Sequence, residues 1–119
     1  MTSYALFKVV HVFGVMLLFT ALGGLAGMAA AGRAAEARLA KILHGVGLVI
    51  VFLAGFALLS TLNMSAPGSW GTWVWIKLVV WLLLGGSLAL VRRQQHARWV
   101  LLGLPALGAV AAWAAFVKP

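Results

Sequence analysis

Four long apolar runs alternate with three short polar linkers along this chain, at about residues 4–31, 39–62, 72–91 and 99–117. A helix that crosses the hydrocarbon core of a bilayer needs roughly 20 predominantly apolar residues, and each run comes close to that or exceeds it. Each run therefore predicts one membrane-crossing helix. The first linker, GRAAEARLAK, is short, Ala-rich and basic, and is expected to carry on into the second helix. The second, residues 63–71 (NMSAPGSWG), is uncharged and contains the turn residues Pro67, Gly68 and Gly71. The third, RRQQHAR, is basic. Pro105 lies within the last run and is expected to kink that helix, with neighbouring helices absorbing the cost. The pattern predicts an all-α, integral-membrane four-helix bundle, one transmembrane domain over residues 1–119.

Composition strengthens this reading. The chain is 65% hydrophobic and 8% charged, against about 45–50% and about 25% in soluble domains. A soluble fold has no way to hide so much apolar surface. The net charge of +8, with Glu36 the single acid, ordinarily suggests nucleic acid, but here the charges sit mostly at helix ends. There they set topology and meet anionic lipid headgroups, so no nucleic-acid partner is expected. Arg33, Arg38 and Lys41 mark the first linker, and Arg92, Arg93 and Arg98 the third; the second has no Lys or Arg. The positive-inside rule then places linkers one and three in the cytoplasm, N-out and C-out, as a multi-pass protein of a bacterial-type inner (plasma) membrane. Trp70, Trp73, Trp75, Tyr4 and Trp113 would form the outer aromatic belt, and Trp99 marks the inner interface. The first apolar run is too long for a cleavable signal, and no polar mature domain follows it. With no cysteine, disulfide and thiolate chemistry are excluded.

Small residues suggest where helices meet. Gly23, Gly24 and Gly27 form a small-xxx-small pattern, and Gly85, Gly86 and Ser87 a similar one. Close packing within the chain is the favoured reading, a homo-oligomer interface the other. Phe7-Lys8-Val9-Val10 also echoes Ile76-Lys77-Leu78-Val79. Helices one and three would run in the same direction, as a parallel duplication requires.

Ionisable residues within the spans are the candidate chemistry. Lys8 and His11 lie on one helical face. His11 and Lys77 share a level roughly 10 Å below the outer surface, from about 1.5 Å rise per residue. Lys8 is shallower and able to snorkel outward. Lys77, between Trp73 and Trp81 on one stripe, is read either as a snorkelling lysine or as a neutral amine serving as ligand or base. His11 is either a hydrogen-bonded core histidine or an axial haem ligand, since imidazole is a common iron ligand and bundle interiors are common sites. His44 carries the same choice, with Gly45 and Gly47 beside it leaving room for a flat macrocycle. His96, in a basic linker, is read as solvated. His11 and His44 differ in level by roughly 10–15 Å, which argues against both gripping one iron. His11 with Lys77 is the better-matched pair, and Lys8 is placed to meet a haem propionate.

Other classes of small four-span protein fit less well. Multidrug transporters of this size need an acid within the first helix, and the polar pore features of fluoride channels have no match here. Lys8-x-x-His11, Lys41-Ile-Leu-His44 and WVWIKLVVWLLLGGSLALVRR together resemble the SirB-type family of small membrane proteins. The likeness extends to the related HemJ-type protoporphyrinogen oxidases and CopD-like domains, and spans most of the chain. It implies a four-helix b-type haem protein. In HemJ-type relatives an N-terminal-helix His and a later-helix Lys are tied to haem and activity, and these match His11 and Lys77. His44 is more SirB-like, and HemJ-type proteins are usually longer.

The expected function is therefore a membrane-embedded, cytochrome b-like haem protein with a redox or porphyrin-related role, an oxidoreductase of the HemJ type if it is an enzyme. His11 is the foremost ligand to haem b, Lys77 or His44 the second, and Lys8 a contact for anionic groups. A porphyrin or quinone and an electron-transfer partner are the expected associates. The competing readings are a cofactor-free membrane accessory or scaffold protein, whose polar residues lock helix packing, and a CopD-like copper-handling protein. His11 and Met16 fit copper poorly, since five residues apart is not one helical face.

Overall fold

The computed structural model of the protein describes residues 2–33, 37–64, 66–91 and 94–117, the side chains of 89–91 and 94–98 excepted. Glu36, Arg92 and Arg93, and the side chains of His96 and Arg98, lie outside the described residues. Four α-helices follow one another: α1 (Ser3–Ala30), α2 (Arg38–Thr61), α3 (Thr72–Val91) and α4 (Gln94–Val117). A 3-10 turn at Pro67–Ser69 separates α2 from α3. No strand occurs among the described residues. The fold is the expected all-α four-helix bundle, and α1, α2 and the Trp99–Val117 part of α4 are each long and apolar enough to cross a membrane.

The helix ends follow from local chemistry. The Thr2 hydroxyl accepts a hydrogen bond from the Ala5 N–H at 3.1 Å, closing one orphan donor of α1. At the other end Gly32 takes a positive φ of 75°, and the Arg33 N–H returns to the Met28 carbonyl at 2.7 Å. Asn63 ends α2 in the same way, with φ 58° and the Met64 N–H on the Leu59 carbonyl at 2.9 Å. Both are left-handed helix caps of the kind Gly, and less often Asn, provides. The glycine cap bounds the first linker: the chain turns at Gly32, and α2 begins at Arg38, so the RLAK part of the linker is helical as expected. The third linker is shorter than the sequence predicts, because α4 starts at Gln94 and contains most of RRQQHAR. That segment holds good helix formers and no breaker. Pro105 lies inside α4, which continues through it.

Neighbouring helices run antiparallel. α1 packs most extensively on α2 and also on α4, and α3 packs on α4; α2 and α3 approach each other at few positions. The ring of helices is thus closed on three sides and slack on the fourth. Leu18, Leu22, Val80, Leu84 and Leu104 form the main core, with Leu25, Ala26 and Ala37 a second cluster near the linkers that join α1 to α2 and α3 to α4.

Of the glycines expected to allow contact, Gly85 meets α2, where a Cβ would stand 3.6 Å from Leu48 Cδ1, but the closest approaches use two others. A Cβ placed at Gly47 would stand 3.0 Å from the Leu18 backbone nitrogen, and one at Gly14 would stand 2.6 Å from Ile50 Cγ2. These two contacts set the α1–α2 spacing. Around Gly23, Gly24, Gly27 and Gly86 an added Cβ meets nothing within 4 Å. Among the described residues, the small-xxx-small pattern of α1 therefore packs against no other helix. Of the two glycines beside His44, Gly47 leaves no space for a macrocycle, because the α1 backbone fills it, while an added Cβ at Gly45 meets nothing within 4 Å.

Candidate functional site

A cavity of about 660 Å³ lies between α1, α2 and α3, with the last turns of α4 at its edge. It occupies the half of the bundle where α1 and α3 begin and α2 and α4 end. Its volume is in the range of roughly 300–1,000 Å³ typical of small-molecule and cofactor sites. Lys8 and His11 reach it from α1 and Lys77 from α3, so three of the four residues singled out in the sequence share one space. The rest of the lining is mostly apolar and aromatic, including Phe52, Phe56, Trp73 and Trp81. Among the described residues, none of the lining side chains is acidic. The two lysines of the sequence echo, Lys8 and Lys77, thus converge on one cavity from two helices.

The close packing of α1 on α2 fixes the His11 ring. Its Nδ1 lies 3.1 Å from the Val51 carbonyl oxygen of α2. A carbonyl only accepts, so Nδ1 carries the proton and donates, leaving the lone pair on Nε2. Gly55, one turn beyond Val51, lies beside the ring: a Cβ there would be 3.5 Å from His11 Cε1. The residue is 7% exposed, and it lines the cavity. A donor bond of this kind is the usual second-shell support of a metal-binding imidazole.

His44 makes the same type of bond in different surroundings. Its Nε2–H donates to the Leu84 carbonyl of α3 at 3.1 Å, and the residue is 2% exposed. The Leu84 carbonyl also accepts from the Ser87 hydroxyl at 2.7 Å. His44 does not line the cavity. The structure therefore brings His11, Lys77 and Lys8 together and sets His44 apart.

A reciprocal bond crosses the same two helices one turn away. The Trp81 indole N–H of α3 donates to the Leu48 carbonyl of α2 at 3.1 Å. Beyond it the space between α2 and α3 is filled by rings. Phe52 packs on Trp81 with centroids 5.0 Å apart, Phe56 on Phe52 at 4.7 Å, and Phe56 on Trp70 at 5.7 Å. The Trp70 indole N–H is tied to the Met64 carbonyl at 2.7 Å. Sequence reasoning singled out the Trp73–Lys77–Trp81 stripe but missed its partners. Phe52 and Phe56, one turn apart on α2, were the available signal.

No family model, no curated protein and no solved structure matches the chain.

Proposed function

We propose that this chain is a multi-pass protein of a bacterial-type inner membrane, N-out and C-out, whose cavity holds haem b for a redox or porphyrin-related role. One observation carries the reading: His11 lines a cavity of cofactor size while its Nδ1–H is committed to the Val51 carbonyl. That leaves the Nε2 lone pair available and the ring orientation fixed, as a ligand to iron would require. The donor set fits the group. His11 would ligate the iron, Lys77 would serve as second ligand or meet a propionate, and Lys8 would meet a propionate. The aromatic walls supply apolar surface for a flat macrocycle and keep water away. Haem, when bound, supplies one-electron chemistry; the chain holds, orients and shields it.

The resemblance to SirB-type and HemJ-type proteins points to His11 and Lys77 as well. For His44 the packing role is favoured, because its Nε2 is engaged by the Leu84 carbonyl. The test is a reduced-minus-oxidised visible spectrum of the purified protein beside three variants. A Soret band with reduced α and β peaks is expected, lost in His11→Ala, altered or lost in Lys77→Ala, and kept in His44→Ala. A protein that stays colourless after haem is added overturns the reading and leaves the scaffold role.

A further inference from the structure

We propose that the cavity is filled from the side, through the α2–α3 seam, by an amphiphilic anion: an apolar body carrying a carboxylate or phosphate. This deepens the reading above and rests on it for the membrane setting and the cavity, not for the haem.

The route follows from how the bundle closes. α2 and α3 are the adjacent pair that approach at few positions. Their direct ties, His44 to Leu84 and Trp81 to Leu48, lie at one end of the seam. Toward the other end Phe52, Phe56 and Trp70 stand along the seam. Phe52 and Phe56 line the cavity and are each more than a third exposed. Their rings carry no polar atom, so turning them breaks no hydrogen bond, and this is the low-cost place for the bundle to open. In a bilayer the face is met by acyl chains, and a lipid-soluble ligand arrives there without crossing water.

The ligand class follows from the lining. Apolar and aromatic side chains make up most of the wall, and the charged groups on it, Lys8 and Lys77, are both cations. An ammonium has three donors, so a partner within the protein leaves capacity for an incoming anion. Charge-assisted bonds to a carboxylate or phosphate are the strong ones, and stronger still where water is excluded. A neutral lipophile would bury the same surface and forgo these bonds.

The experiment is photo-crosslinking in phosphatidylcholine nanodiscs, on protein produced without a haem supply so that a bound macrocycle does not mask the site. The probes are a mid-chain diazirine fatty acid, its methyl ester, and the corresponding alkyl phosphate, with labelled residues mapped by mass spectrometry. The acid is expected to label cavity residues such as Val15 and Leu78 about tenfold more than the ester, the discrimination of roughly one charge-assisted bond. The phosphate arm then separates a fatty-acid-like from a phospholipid-like source. Lys77→Gln is expected to lose cavity labelling and Lys77→Arg to keep it. The chain has no cysteine, so Phe56→Cys with Trp70→Cys gives a clean pair at the open end of the seam. Bridging that pair with a bis-methanethiosulfonate reagent, which forms a reducible disulfide at each cysteine and releases methanesulfinate, is expected to abolish cavity labelling, and reduction to restore it. Equal labelling by acid and ester, or full labelling with the seam bridged, overturns the proposal. The acid-against-ester comparison on the unmodified chain stands even where a variant fails to fold. A protein that never takes up haem yet labels in this way overturns only the haem reading. One that shows the haem spectrum but whose haem-free form does not label overturns only this one.

Discussion

The two halves of this bundle hold the same kind of histidine and use it differently. His11 and His44 are both buried, and each ring donates to a helical carbonyl forty residues further along the chain. Around His44 the packing is tight: Ser87 shares its acceptor, the Leu84 carbonyl, and Gly47, one turn on, is pressed against the α1 backbone. Beside His11 a cavity opens onto two lysines and a set of aromatic rings. The hydrogen bond therefore does not separate a packing histidine from a ligand. The volume left beside the ring does.

Truncation tests this contrast most strongly. Leu22→Ala, at a fully buried position in the packed half, is expected to cost about 2–5 kcal/mol. Leu78→Ala, on the cavity wall, is expected to cost less than about 1.5 kcal/mol, because it enlarges a space already present. SDS-driven unfolding followed by circular dichroism measures both, and equal losses would erase the distinction between the halves. Glycine substitutions sharpen it. Gly47→Val is expected to cost about 1–3 kcal/mol, since the new atoms meet backbone and not a movable side-chain end. Gly23→Ala, which meets nothing, is expected to be neutral or to stabilise by up to about 1 kcal/mol through helix propensity.

Smaller effects probe the hydrogen bonds. His44→Ala is expected to lower stability by about 1–2 kcal/mol while leaving any haem spectrum in place. His11→Ala reverses that order, losing the spectrum with a comparable or smaller loss of stability. Trp81→Phe keeps the ring and removes the N–H to Leu48, and about 0.6 kcal/mol is expected, read from the same unfolding curve. A His44→Ala protein that lost the spectrum as completely as His11→Ala would place the site across both halves.

Much of the fold was legible because apolar run length alone fixes helices of this kind. α1, α2 and α3 begin and end within a residue of the runs read from the sequence. The polar start of α4 was not, since hydropathy stops at the interface while helical hydrogen bonding continues through Gln94. Depth counting brought His11 and Lys77 to one level and set His44 apart, and the cavity groups them in the same way. What depth cannot supply is rotation about each helix axis. Gly23 and Gly27 carry the familiar contact spacing, yet the α1–α2 crossing selected Gly14 and Gly47. Nor does a hydropathy pattern mark a carbonyl as an acceptor. The partners of His11 and His44, Val51 and Leu84, are ordinary apolar residues whose role lies entirely in their backbone.

The placing of the two α2–α3 ties has a mechanical consequence. Beyond the ties at the Leu48 and Leu84 carbonyls, the stretch of α2 from Leu48 to Thr61 runs on for about 20 Å, from its rise per residue. Over that length it is seated on α1 through Ile50, Val51 and Gly55. Any widening of the seam therefore falls to its rings and to α3, while α2 and α1 move as one unit.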